Sequence, residues 1–356
     1  MESSALQLFD WQVPRWNALL ADSSRLAHAL LLGGPEGMGK RAFGQTLAAR
    51  LLCEQADAAP SALPCGKCNS CNWLSAGNHP DFRVVQPEEA GAESDSEDGE
   101  QEPAVLRKLG QSAGQVRIDQ IRSLDDFVYV GSHRQGNRIV LISQAETMTP
   151  QAANSLLKIL EEPPASVYFI VISSQWRRLL PTLLSRCRSL IFASPDTELA
   201  RRWLGTQGST DAPTLLDLAG GAPLVALDWA EQGRLDIYRK LVATLTQRSV
   251  DPVTLAAKWA AMLKSAQEFA LPQLLDAIQK WMLDLSLQRL SGQCRYHAAW
   301  RDQLADLARS VSAPALLACY NDLLKLRAVV RHPLNTQLFL EDLAARYLRA
   351  LAPVKH

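Results

Sequence analysis

The chain has 356 residues, of which 47% are hydrophobic and 21% are charged, so it is long enough for two or three domains with sizeable cores. Lys plus Arg and Asp plus Glu both number 37, and this balance gives no overall basic charge to indicate a nucleic-acid or membrane surface as partner. No apolar run approaches the roughly 20 residues that span a bilayer, and the N-terminus lacks the pattern of a secretory signal. We therefore expect a soluble cytoplasmic protein without membrane contact.

The first half of the chain alternates strand-like and helix-like segments. The apolar stretches "HALLLGG", "FRVVQP", "NRIVLIS" and "VYFIVISS" predict strands. Helical spacing follows in "VRIDQIRSLDDFVYVG" and in "TPQAANSLLKILEEPP", where Thr149 is the expected N-cap, Pro150 lies in the first turn and the helix ends before Pro163. This alternation predicts a doubly wound α/β domain.

From about Pro195 onward the sequence predicts only helices, because apolar residues recur at i, i+3 and i+4. Two insertions interrupt the α/β part, a cysteine module at about 53–80 and an acidic loop at about 88–104. Eight acidic residues and no Lys or Arg fall within 88–102, which predicts a solvated, mobile loop. The expected domains are an α/β domain at 1–194, a small helical domain at 195–240 and a larger helical domain at 241–356.

Four of the seven cysteines form one short cluster with the spacing C-x11-C-x2-C-x2-C. Two consecutive C-x2-C steps let a tight turn direct several thiolates at one ion, and four sulfur ligands make a closed tetrahedral shell. The pattern predicts a structural Zn²⁺ site, with an iron–sulfur cluster as the alternative. Its expected ligands are Cys53, Cys65, Cys68 and Cys71. The separate Cys187, Cys294 and Cys319 are predicted to be core residues.

The stretch "GGPEGMGKR" follows an apolar run and precedes a helical pattern, as a phosphate-binding loop does. It matches G-x-x-x-x-G-K-[ST] except in the last letter, where Arg41 replaces the hydroxyl that ligates Mg²⁺. Backbone N–H groups at the start of a helix can still bind phosphate, and the Arg41 cation can equally fill the site. Nucleotide binding therefore stays open. The residues of this loop are Gly34, Gly37, Gly39, Lys40 and Arg41.

Hydrolysis of a nucleotide also needs acidic residues after a later strand, one for Mg²⁺ and one to activate water. Directly after "VLI" stand Ser143 and Gln144, and neither supplies a carboxylate. Glu146 lies two residues further on and is interpreted as a surface residue. Because the hydroxyl and both acids are replaced, we expect no intrinsic ATPase activity.

The motifs "NSLLKILEEPP" and "LLPTLLSRCRSL", with a four-cysteine module directly after the loop helix, closely resemble bacterial clamp-loader subunits. These are AAA+ proteins of the DNA polymerase III holoenzyme. The degenerate nucleotide motifs are similar to those of the delta-prime branch rather than the ATP-hydrolysing gamma/tau branch. The resemblance covers the whole chain. It implies a RecA-like AAA+ α/β domain, a helical lid at 195–240 and a helical collar at 241–356.

The resemblance also gives the "SRC" motif a role. In clamp loaders its arginine reaches the γ-phosphate of ATP held by the neighbouring subunit, which implies that Arg186 is an arginine finger acting in trans. Arg188 does not match the motif. Active members carry a nucleotide-sensing Arg in the lid helix, where this sequence has Leu224. The resemblance thus implies a subunit that acts on its neighbour's nucleotide and not on its own.

The partners that the resemblance implies are gamma/tau and delta subunits in a five-membered ring, which places the beta sliding clamp on primed DNA. Two alternatives stay open. One is an ATP-hydrolysing gamma/tau-like subunit, which Ser143 and Gln144 oppose. The other is a sequence-neutral DNA-binding module built on the cysteine cluster, which would need several basic and aromatic residues there, whereas the segment offers Lys67 and Trp73.

Overall fold

The computed structural model describes residues 8–21, 26–55, 61–87, 114–129, 136–209, 211–247, 249–265, 269–330 and 335–352. The acidic loop predicted at 88–104 lies outside these residues. The described chain divides into two compact units, one up to Asp196 and the other from Thr197 onward. None of the helices in these ranges has the length and apolar character that a membrane crossing requires.

The first unit contains strands and helices in alternation, numbered here along its described residues. Its strands are β1 (Ala29–Gly33), β2 (Phe82–Val85), β3 (Arg138–Ile142), β4 (Val167–Ser173) and β5 (Arg188–Ile191). Its helices are α1 (Val13–Leu20), α2 (Lys40–Leu52), α3 (Asn69–Ser75), α4 (Ile118–Tyr129), α5 (Pro150–Glu161) and α6 (Pro181–Leu184). Short 3-10 helices at Asp10–Gln12, Ala145–Thr147 and Trp176–Arg178 connect some of these elements.

The strands form one parallel sheet in the order β2-β3-β4-β1-β5. Leu31 of β1 pairs with Val171 of β4 on one side and with Ser189 of β5 on the other. Every residue of β1 and β3 is buried, as expected for strands covered on both faces. The four strands predicted from the apolar runs are confirmed, whereas β5 was not predicted.

Helices cover both faces of this sheet. Gly44 of α2 lies against Ile170 and Leu141 on one face, and its missing side chain allows this close approach. On the opposite face, α4 and α5 pack on the alternate strand residues through Ile121 and Leu156, which belong to the same core cluster as β1, β3 and β4. The mixed α/β architecture that the alternation predicts is therefore present.

The α5 helix has the ends that its sequence predicts. The Thr149 hydroxyl accepts a hydrogen bond from Ala152 N–H at 3.2 Å, and Pro150 is the first helical residue. The helix ends at Glu161, before the two prolines. Glu161 therefore lies at the exposed C-terminal end of a helix whose opposite face is anchored in the core.

The described residues of the second unit form helices joined by turns and loops. Its helices are α7 (Thr197–Thr206), α8 (Ala212–Leu218), α9 (Pro223–Glu231), α10 (Arg234–Leu245), α11 (Pro252–Ser265), α12 (Leu271–Ser291), α13 (Arg301–Arg309), α14 (Ala313–Val329) and α15 (Thr336–Ala350), with a 3-10 turn at Ala298–Trp300. One hydrophobic cluster includes residues from α7 through α15. At its centre, Trp281 Nε1 donates to Tyr347 Oη, which in turn donates to Leu245 O at 2.5 Å. The division at 240/241 into lid and collar stays a prediction.

Candidate functional site

The loop that resembles a phosphate-binding loop joins β1 to α2, and its backbone requires glycine at two places. Gly34 has φ 138°, and a Cβ atom there would lie 2.1 Å from Phe192 O. Gly39, with φ 79°, is the N-cap residue of α2. The conformation of this loop therefore depends on Gly34 and Gly39.

Lys40 occupies this loop with its own ammonium group. The side chain is only 5% exposed, and Nζ donates to Gly34 O at 2.7 Å and to Pro35 O at 2.5 Å. Burial lowers the pKa of Lys40 to about 8, although the carboxylates of Glu36 and Glu146 raise it. Arg41 instead donates to the Gln86 side chain at 3.3 Å on the surface. The cation that fills the loop is thus Lys40, not Arg41 as the sequence analysis allowed.

The segment 9–12, before α1, binds the backbone of the same loop. The Gln12 amide donates to Met38 O and Gly39 O at 3.0 and 2.9 Å, and Trp11 Nε1 donates to Met38 O at 3.2 Å. Phe9 stacks on Trp11 with ring centroids 4.7 Å apart. Sequence reasoning missed these residues because they act on a loop more than 25 residues away, and their local pattern gives no sign of it.

The end of β3 carries no carboxylate at the positions used for Mg²⁺ and water activation. Ser143 is buried, and Gln144 is exposed with a left-handed backbone at φ 52°. Glu146 is partly buried, and its Oε1 accepts a hydrogen bond from Ser174 N–H at 3.0 Å. Its charge also acts on Lys40. Glu146 is therefore not a free surface residue, as the sequence analysis interprets it, because its carboxylate binds the backbone that follows β4.

Arg186 lies between α6 and β5, with its guanidinium held by two partners. Nη1 donates to Thr182 O at 3.0 Å, and Nη2 pairs with Glu161 Oε1 at 2.5 Å. The side chain is still 33% exposed. Arg188 begins β5 and is exposed. The predicted finger is thus both anchored and accessible to a partner.

The four cysteines of the predicted metal site come together in space. Their Sγ atoms all lie within 4.8 Å of one another, and the Sγ atoms of Cys65 and Cys71 are 3.9 Å apart. A tetrahedral shell with Zn–S bonds of about 2.3 Å separates its sulfurs by about 3.8 Å. The donor set therefore fits a four-coordinate ion that prefers sulfur, and the described residues contain no other cluster of this kind.

Backbone N–H groups favour the thiolate form within this cluster. The N–H groups of Lys67 and Cys68 donate to Cys65 Sγ at 3.4 and 3.3 Å, and they lower the pKa of the Cys65 thiol to about 6. Burial has the opposite effect on Cys71 and raises its pKa. A cation at the centre of the cluster would oppose this penalty, because metal binding stabilises the deprotonated sulfur.

A buried polar network lies beside the cysteines. Asp81 N–H donates to His79 Nδ1 at 3.0 Å, so the proton of the neutral ring is on Nε2, which donates to the Ser70 hydroxyl at 3.2 Å. Ser70 N–H donates to Glu54 Oε1 at 3.3 Å. Since Glu54 follows Cys53 and Ser70 precedes Cys71, these bonds hold the backbone next to two of the four ligands.

The sequence analysis also singles out three further cysteines and Leu224. Cys187 and Cys319 are buried, and burial raises the pKa of each thiol to about 11, which makes them unreactive core residues. Cys294 is half-buried and packs against the core of the second unit. Leu224 lies in the first turn of α9.

Comparisons with known proteins agree on one family. A family model described as DNA polymerase III, delta subunit, matches residues 15–196. The DNA polymerase III subunit delta′ of Pseudomonas aeruginosa is 34% identical over 292 residues, which cover 80% of this chain and 79% of that protein. The delta′ subunit of Yersinia pestis is 32% identical over 337 residues and 88% of each chain, and that of Escherichia coli is 28% identical over 362 residues, with coverage of 98% and 97%.

A solved structure of a gamma subunit-related protein from Thermotoga maritima aligns with 96% of this chain and 100% of that one, at 17% identity and a TM-score of 0.45. The family model spans half of the chain, and the Pseudomonas aeruginosa relative is matched over four fifths of its length. The resemblance inferred from the motifs is therefore confirmed, and the chain belongs to the family of DNA polymerase III delta′ subunits.

Proposed function

We propose that the chain is a catalytically silent AAA+ subunit of the DNA polymerase III clamp loader, which supplies Arg186 in trans to the ATP site of a neighbouring gamma/tau subunit. In this proposal the first unit is the RecA-like AAA+ domain, residues 195–240 are its lid and residues 241–356 form the collar. A gamma/tau subunit from Mycobacterium bovis is 30% identical over 245 residues, 66% of this chain and 38% of that protein. This similarity supports a ring built from related subunits.

The observation that carries the proposal is the contrast between two cations. Lys40 is buried and bonded to the carbonyl groups of its own loop, and the nearby positions of Ser143 and Gln144 lack carboxylates. Arg186 is anchored at the surface, and its side chain is 33% exposed. The chain therefore has the means to act on another subunit's nucleotide but not to hydrolyse its own.

The guanidinium of Arg186 has the chemistry that phosphoryl transfer needs. It is planar, permanently charged and able to donate two parallel hydrogen bonds to phosphate oxygens. Charge that develops on the transferred phosphoryl group is stabilised by such a group when it is already in place, because no reorganisation is then required. Arg186 would thus lower the barrier at the neighbour's site without taking part in a covalent step.

We propose Zn²⁺ as the ion of the cysteine cluster, with Cys53, Cys65, Cys68 and Cys71 as ligands. Four sulfur ligands leave no position for substrate, so the ion would stabilise the segment around α3 rather than catalyse a reaction. An iron–sulfur cluster is the alternative that the same donor set admits. The metal content of the purified chain distinguishes the two.

The proposed ring contains gamma/tau and delta as partners, opens the beta sliding clamp and places it on primed DNA. The collar helices would join those of the partners, and any direct contact with DNA would involve backbone phosphates. A gamma/tau-like subunit with ATPase activity of its own is the alternative, and the replacements at Ser143 and Gln144 oppose it. A DNA-binding module built on the cysteine cluster is opposed by the shortage of basic residues there.

The test is the ATP turnover of a complex reconstituted with gamma/tau and delta. We expect Arg186→Ala to lower the clamp- and DNA-dependent turnover by about tenfold or more. Arg188→Ala, two residues away and also exposed, is the matched control and should behave as the wild type. Equal assembly of all versions must be shown first. If both variants match the wild type, Arg186 is only a surface arginine.

A further inference from the structure

We infer that Glu161 is a positioning residue for Arg186, which holds the guanidinium in the orientation in which it meets a phosphate group on a neighbouring subunit. The inference rests on the proposed function of Arg186 and adds a second residue to it. Glu161 is the last residue of α5, and it lies 25 positions before Arg186 in the chain. Their contact therefore depends on how α5 and α6 pack.

The two partners of Arg186 fix the plane of its guanidinium. Glu161 Oε1 lies 2.5 Å from Nη2, and Thr182 O accepts from Nη1 at 3.0 Å. The bond to Glu161 joins opposite charges, and the bond to Thr182 also involves the charged guanidinium. Because one partner holds each terminal nitrogen, rotation about the last side-chain bonds is restricted. Glu161 supplies the charged half of this restraint.

The anchored guanidinium still has donors to offer. An arginine side chain has five N–H donors, and the bonds to Thr182 and Glu161 use two of them. The 33% exposure of Arg186 lets the others reach a partner. A phosphate group on another chain can therefore bind without displacing either anchor. The carboxylate of Glu161 and the phosphate would then contact different N–H groups of the same side chain.

The exposure of the pair argues against a role in fold stability. Glu161 is 51% exposed and Arg186 33% exposed, and ion pairs at such positions contribute little to the free energy of unfolding. An unrestrained arginine, in contrast, populates many rotamers and must be ordered each time it meets its ligand. The expected benefit of Glu161 therefore lies in the alignment of the finger during turnover, where small misplacements reduce the rate.

The test compares kinetic constants of reconstituted complexes that contain gamma/tau, delta and one version of this chain. Glu161→Ala should lower the kcat of clamp- and DNA-dependent ATP turnover about fivefold, the scale that an exposed ion pair allows, with the KM for ATP unchanged. Glu161→Gln keeps an acceptor for Nη2 and should restore most of the rate. Glu162→Ala removes the adjacent exposed acid and should match the wild type.

A double-variant cycle separates this inference from the proposed function. If Glu161 acts through Arg186, Glu161→Ala should have no further effect in an Arg186→Ala background. Three outcomes would overturn the positioning role while the effect of Arg186→Ala persists. In the double variant the two losses of turnover could multiply, or Glu161→Ala alone could turn over ATP faster than the wild type or at the same rate. If Arg186→Ala itself changes nothing, the finger proposal fails and the positioning role fails with it.

Discussion

The ammonium group of Lys40 lies 2.7 Å from the carbonyl oxygen of Gly34, within the loop that resembles a phosphate-binding loop. A second bond to Pro35 O and the burial of the side chain complete this arrangement. A phosphate group that entered the loop would have to compete with both carbonyl acceptors for the same ammonium. In this arrangement the loop between β1 and α2 binds its own lysine.

The close approach of Gly34 to Phe192 O predicts that a side chain at position 34 greatly lowers the free energy of unfolding. Gly34→Ala should destabilise the first unit by roughly 3 kcal/mol or more, because the backbone conformation is strained for alanine and the added Cβ meets Phe192 O. Gly77→Ala is the matched control, since Gly77 also has a positive φ but no atom near its missing Cβ. Thermal unfolding of both variants measures the difference. Equal losses would show that the contact with Phe192 is unimportant.

The cysteine cluster predicts a tightly held metal. Cys71→Ser should abolish the zinc content of the purified chain and lower its unfolding midpoint by about 5 °C or more, because metal binding contributes directly to folding. Cys319→Ser, which changes a lone buried cysteine of the second unit, should retain the zinc. Elemental analysis and thermal unfolding provide the two readouts. Wild-type protein that holds iron and sulfide would favour the iron–sulfur alternative instead.

The burial of His297 beside Asp284 predicts that the protein loses stability in mild acid. Its Nδ1 lies 2.8 Å from Asp284 Oδ2, and burial lowers the pKa of His297 although Asp284 raises it. The folded chain therefore takes up this proton at a lower pH than the unfolded chain, in which a histidine has a pKa of about 6.5. Because the unfolded state then binds more protons, stability falls as the pH drops, with a limiting slope of about 1.4 kcal/mol per pH unit.

The variant His297→Gln removes this titration. Calorimetric unfolding between about pH 5 and about pH 7.5 should show a shallower decline for the variant than for the wild type. The comparison uses the slope with pH, so a constant loss of stability from the substitution does not affect it. Parallel curves would mean that His297 is protonated in the folded chain as readily as in the unfolded one.

The central strands could be predicted from the sequence because a strand that is buried on both faces has a continuous apolar sequence. β1, β3 and β4 are covered by helices on both faces, so each is a continuous apolar run. β5 lies at the edge of the sheet and is largely exposed, and its four residues include Arg188 and Ser189. Such a strand is specified by its pairing with β1 rather than by its own pattern.

The same distinction applies to the candidate site. The cysteine cluster was predictable because the spacing of Cys65, Cys68 and Cys71 is local. The bond between Glu161 and Arg186 was not, since the partners are 25 residues apart and meet only in the folded chain. Glu146 was misread for a related reason: its partner Ser174 lies at the end of a different strand. Local motifs identify the chemical groups, whereas the role of each group depends on its contacts in the folded chain.

The most direct measurement is the affinity of the reconstituted complex for ADP with aluminium fluoride, an analogue of the phosphoryl-transfer transition state. A finger that acts in trans binds the transition state more tightly than the ground state. Arg186→Ala should therefore weaken binding of the analogue by about tenfold or more while the KM for ATP changes little, and the isolated chain should not trap the analogue. Unchanged affinity in the Arg186→Ala complex, or trapping of the analogue by the isolated chain, would contradict the proposal that this subunit's chemistry is directed to its neighbour.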